Sequence, residues 1–204
     1  MIMDSNKQEI GHNNTTVAVW DALQACIVRA GIMHPAECAE VFAVWQHILA
    51  HSSSPARSNA EHSGSWWISS AVIPYILTAP PGHPPTAALR WDWDCRRASD
   101  FTAWCMATLH DRFGVGWLVA GEDDDAELGP HYLRLTLNEQ EERCDWRYLN
   151  QHRWMDAFCT IADRLLKPVG VTALALETGW FDTVLCFCWR EQAAEVLRWF
   201  PEAE

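Results

Sequence analysis

Two aspartates in the run Trp91-Asp92-Trp93-Asp94, and the acids Glu122, Asp123, Asp124, Asp125 and Glu127, have the types and spacing that point most directly to chemistry. On a strand, alternate residues share a face about 7 Å apart. Carboxylates so placed, one set on a strand and one in a nearby loop, hold magnesium for phosphoryl transfer. Pairing of the first two predicted strands would bring the sets together. That chemistry also calls for a glycine-rich phosphate loop or a cluster of lysine and arginine, and neither accompanies these acids. A divalent-metal-dependent phosphate-handling enzyme using Asp92 and Asp94 is therefore the alternative reading. A solvated sheet edge ending in an acidic hairpin tip is the plainer one, with a binding surface beside it.

Histidine and cysteine offer less. His47 and His51 are four residues apart and share a helix face, with His34 and Cys38 upstream. A zincin needs glutamate after the first histidine, and here the run is His47-Ile48-Leu49-Ala50-His51, so the general base is missing. A structural zinc site would need a third ligand such as His62 or Cys38; helix-end histidines that hydrogen-bond or face water are the commoner case. Cys95 sits beside Arg96 and Arg97, whose charge would lower a thiol pKa, and it is the one cysteine to test as reactive. Most of the cysteines lie in apolar periodic segments, there is no CxxC pair, and reduced, buried thiols are expected rather than a disulfide framework. No GxSxG elbow, GxGxxG loop or Walker sequence is present, and no cofactor is expected.

Recognition chemistry is better supplied. Thirteen tryptophans are present, a residue that serves both as core filler and as interface anchor. Trp66-Trp67 and Trp180-Phe181 are adjacent pairs that a strand or turn cannot bury together easily. With Trp146, Tyr148 and the acidic turn they would form an acidic and aromatic recognition patch, or else fold back as lids over the core edge. Glu122, Asp123, Asp124, Asp125, Trp146 and Trp180 are the predicted partner-binding residues.

Net charge sharpens the partner class. The chain carries a formal charge of -12, and residues 101–204 hold 18 acids against 9 bases, compared with 9 against 6 in residues 1–100. Such a surface repels a phosphate backbone, so nucleic-acid binding is not expected, while a basic protein would be attracted. Solubility alone accounts for the same charge. No apolar stretch is long enough to span a bilayer, and the polar start MIMDSNKQEIGHNNTT lacks the pattern of a secretory signal, so a cytoplasmic protein is expected.

The elements that must position these groups follow from hydrophobic period and breakers. Residues 1–15 read as a flexible leader and residues 16–77 as a helical region packed on the core. Its first helix is Thr16–Ala30, stopped at Gly31, and its second starts near His34-Pro35 and runs to about Ala50. Residues 51–64 are linker-like, and the proline-rich residues 78–86 mark a boundary.

Residues 87–204 form the α+β sandwich core. Strands are predicted at 87–94, 115–120, 131–137, 171–176 and 183–189, with helices at 101–113, after Asn150, and at 191–200. Ser99 or Asp100 would cap the first of these helices, residues 138–149 read as a short charged surface helix, and residues 177–181 as a hairpin turn. The order is a ferredoxin-like β-α-β-β-α-β core with an added C-terminal strand and helix and an N-terminal helical hairpin. An edge strand there would let a second copy pair, so a homodimer is a further expectation.

These observations favour a non-enzymatic cytoplasmic interaction protein, with an acidic immunity or antitoxin-type inhibitor of a basic partner as its most concrete form. The metal-dependent enzyme is the competing class.

Overall fold

The computed structural model of the 204-residue chain describes residues 6–51, 86–91, 98–125, 129–145, 151–177 and 183–199. In order they form α1 (Asn6–Arg29), α2 (Pro35–His51), β1 (Ala88–Trp91), α3 (Ala98–Phe113), β2 (Leu118–Asp125), β3 (Gly129–Leu137), β4 (Gln140–Asp145), α4 (Gln151–Leu166), β5 (Val171–Glu177), β6 (Thr183–Trp189) and α5 (Ala193–Leu197). Single 3-10 turns at Lys167–Val169 and Arg190–Gln192 follow α4 and β6. The fold is α+β, with an N-terminal helical pair, a β core flanked by helices and an added C-terminal strand and helix. Its alternation of elements is consistent with the ferredoxin-like order, with β4 inserted before the second core helix.

The strands pair as two antiparallel three-stranded sheets, β1-β6-β5 and β2-β3-β4. The middle strand β6 is buried along both faces from Val184 to Cys188, which explains why it reads as a near-continuous apolar run. On one face Phe187 stacks on Trp104 of α3, with ring centroids 5.3 Å apart, and meets Trp117 edge-on at 5.8 Å. On the other, Cys186 and Cys188 lie near Cys26 of α1, and Thr172 donates its hydroxyl to Asp163 of α4 at 2.5 Å. The second sheet alternates cleanly. Leu133, Leu135 and Leu137 are buried while Tyr132, Arg134 and Thr136 face outward, and the inner row packs on α4.

Phe158 of α4 touches both Phe101, at 5.1 Å, and Trp117, at 6.3 Å, so α3, α4 and the two sheets share one aromatic centre. The indole N–H groups there are satisfied without polar side chains: Trp104 donates to the Thr86 carbonyl and Trp117 to the Cys105 carbonyl. Trp20 and Trp117 are buried, and Trp45, Trp104, Trp189 and Trp199 pack half-buried against the same core. Much of the unusual tryptophan content is therefore structural.

The helical pair is tied to the first sheet through its connecting loop. Trp189 N–H donates to the Ala30 carbonyl and Ala87 N–H to the Ile32 carbonyl, and the Ala87 carbonyl in turn accepts from Phe187. Leu23, Ile27, Val41 and Phe42 join the same buried cluster as the sheets. At its start α2 is capped by Glu37, which stands at the third helical position and accepts the His34 backbone N–H at 3.0 Å. The Glu37 carboxylate also receives both terminal nitrogens of Arg112 from α3, the second at 3.1 Å.

Several boundaries differ from the sequence expectation, each for a physical reason. Residues 138–149, predicted as a short surface helix, contain β4 instead. Asn138 and Glu139 both take positive φ, 49° and 65°, and make the tight two-residue turn that returns the chain antiparallel to β3. α1 reaches back to Asn6, through most of the predicted leader, a stretch that lacks an apolar stripe and includes weak helix formers such as Gly11, Asn13 and Asn14, so nothing in its sequence announces a helix. β2 continues to Asp125, so the predicted acidic turn begins as strand. α3 starts at Ala98, which puts Ser99 and Asp100 in its first turn, where the acid still complements the helix dipole. The final helix is shorter than predicted, and residues 92–97, 146–150 and 178–182 lie outside the described residues.

Seven described cysteines are free, and all but Cys159 are buried. Burial pushes Cys26 up to about 11 and Cys38, Cys144 and Cys188 up to about 12, and it raises Cys105, Cys159 and Cys186 as well. None is therefore a ready thiolate at neutral pH. With a thiol-specific chromogenic reagent at pH 8, these seven should react only as the protein unfolds, leaving Cys95 as the one thiol outside this expectation. Rapid labelling of two or more thiols in the folded protein would contradict it.

Candidate partner-binding surface

Of the acids singled out in the sequence, Glu127 lies outside the described residues, and Glu122, Asp123, Asp124 and Asp125 lie along β2 of the β2-β3-β4 sheet. Register places Leu118 opposite Thr136, Ala120 opposite Arg134, and Glu122 opposite Tyr132 on its outward side. β4 extends the rows, with Glu141 opposite Thr136, Arg143 opposite Arg134 and Asp145 opposite Tyr132. The result is an outward lattice of both charge signs. Two arginines face each other directly across β3 and β4, an arrangement that destabilises a sheet unless an acid intervenes.

Glu122 is that acid. One of its oxygens lies 3.3 Å from Arg134 Nε and the other 3.1 Å from a terminal nitrogen of Arg143, while Arg134 also lies 3.9 Å from Glu141. The Arg143 guanidinium sits 4.4 Å above the centre of the Tyr132 ring, a cation–π contact. Glu122 is only 24% exposed, whereas the arginines are about half exposed, so these pairs are solvent-screened and individually weak. Its carboxylate is thus committed largely to its own sheet. Asp124 pairs in register with Pro130 and Asp125 with Gly129, which extends the acidic run along β2 to the start of β3.

Of the remaining predicted residues, Trp146 and Trp180 lie outside the described residues, as do Asp92, Asp94, Cys95, His62 and the Trp66-Trp67 pair. β1 pairs with β6 and β2 with β3, so the β1–β2 pairing that would join the Asp92 and Asp94 pair to the later acids is not the one formed. α2 does extend through His51, but Cys38 is buried under the Gln24 carbonyl while His47 is exposed. Nine residues of helix turn the chain through about half a revolution beyond whole turns, which puts those two on opposite faces. Among the described residues no group of three histidine, cysteine, aspartate or glutamate side chains is placed to hold a metal ion. No described helix is long and apolar enough to cross a membrane.

Sequence reasoning missed two features. Leu118 is 65% exposed on the outward face, at the start of the strand that ends in the acids. The other is the Glu37–Arg112 pair, in which Arg112 is only 7% exposed. It borders a cleft of about 450 Å³ between the start of α2 and the α3 residues Ala103, Trp104, Ala107, Thr108 and Asp111. Burial alone would raise the Glu37 carboxyl, but the Arg112 hydrogen bonds, the His34 N–H and the Arg112 charge outweigh it and hold the pKa below the ordinary glutamate value.

Because that pKa is depressed in the folded state, the pair contributes stability above the ordinary glutamate range, near pH 4.3, and loses it as pH falls through the folded value. Glu37→Gln should cost about 1–3 kcal/mol in urea unfolding at pH 7, since it leaves a buried guanidinium short of its partner. The difference from the native protein should narrow in a second measurement at a pH low enough to protonate the native carboxyl. An equal gap at both values would show that packing, not ionisation, carries the effect.

In comparison with known proteins, the chain matches no family model, no curated protein and no solved structure at a significant level.

Proposed function

We propose that the protein is a non-enzymatic interaction protein that captures a basic protein partner, in the manner of an acidic immunity or antitoxin-type inhibitor. The observation that carries this reading is the run of four consecutive acids from Glu122 to Asp125 along β2, in a half of the chain with twice as many acids as bases. Glu122 is engaged with Arg134 and Arg143, so it serves the sheet's own stability. The proposal therefore assigns partner contact first to Asp123, Asp124 and Asp125, with Trp146 and Trp180 as aromatic anchors. Acidic side chains in such a row occlude a cleft built for phosphates by presenting charge where the nucleic-acid backbone would lie. Buried aromatics would supply the part of the affinity that charge alone does not.

The experiment is affinity capture with tagged protein from a lysate of the source organism at low salt, followed by a salt gradient. A stoichiometric basic protein eluting as salt rises is the expected result. Recovery of the tagged protein alone, or of a partner indifferent to salt, would remove the charge-based reading.

A further inference from the structure

We draw no further inference here: the strongest candidate, the cleft of about 450 Å³ between the start of α2 and the outer side of α3, is bordered by Glu37 and Arg112, which already satisfy each other, and nothing in the structure shows what would fill it.

Discussion

Phe187→Ala is expected to destabilise the protein by about 3–5 kcal/mol, the range for deleting a fully buried aromatic ring. Phe187 is completely buried on β6, the strand that β1 and β5 both pair with. Its ring stacks on Trp104 and meets Trp117 edge-on, so truncation removes both aromatic contacts and opens a void between α3 and the first sheet. The indoles cannot collapse freely into that space, because Trp104 is tethered to the Thr86 carbonyl and Trp117 to the Cys105 carbonyl. Phe187→Leu should recover part of the loss. Equilibrium urea unfolding checks both, and a cost below about 1 kcal/mol for alanine would mean that this aromatic centre is not where the fold is held.

Gly31→Ala should be nearly as damaging, at about 2–5 kcal/mol, although it adds a single carbon. The residue has φ +77°, where a side chain costs about 1–3 kcal/mol by itself. A Cβ there would also lie 2.9 Å from both the Phe113 ring and the Trp189 indole, inside any tolerable contact. Those rings pack edge-to-face with centroids 5.0 Å apart, so neither yields without disturbing the other, and overpacking adds about 1–3 kcal/mol. Gly114→Ala is the matched control: its φ is +66°, but nothing lies within 4 Å of an added Cβ. The difference between the two variants in thermal or urea unfolding isolates the steric part. Equal losses would show that φ alone decides the cost.

How much of this was legible in the sequence depended on whether the signal was local. The leucines of β3 alternate with Tyr132, Arg134 and Thr136, and period alone identifies both the strand and its buried face. The helical pair was readable from its apolar stripes, from Gly31 and from the His34-Pro35 start. β4 was not, because Glu141, Glu142 and Arg143 are polar in succession and the turn before it uses Asn138 and Glu139 without a glycine. The division into two sheets was hidden as well, since β1 pairs with a strand near the other end of the chain and pairing of that range leaves no mark on local pattern.

The candidate surface was half readable in the same sense. The acids were evident as residue types, but Glu122 acquires its role from Arg134 and Arg143, which meet only once β3 and β4 are in register. Similarly, nothing near Glu37 in sequence indicates that Arg112 will close on it from another helix.

The proposed function rests on the acidic row on β2 acting as a contact surface for a basic protein. Its most direct test compares capture by the native protein with capture by the triple variant Asp123→Asn, Asp124→Asn, Asp125→Asn. Asparagine removes charge without placing a cation near Arg134 and Arg143, and urea unfolding of the variant confirms that the fold persists. The expected result is a folded variant that binds the basic partner at least about tenfold more weakly at low salt, with a shallower salt dependence. A folded variant that captures the same partner with unchanged affinity and salt dependence would contradict it.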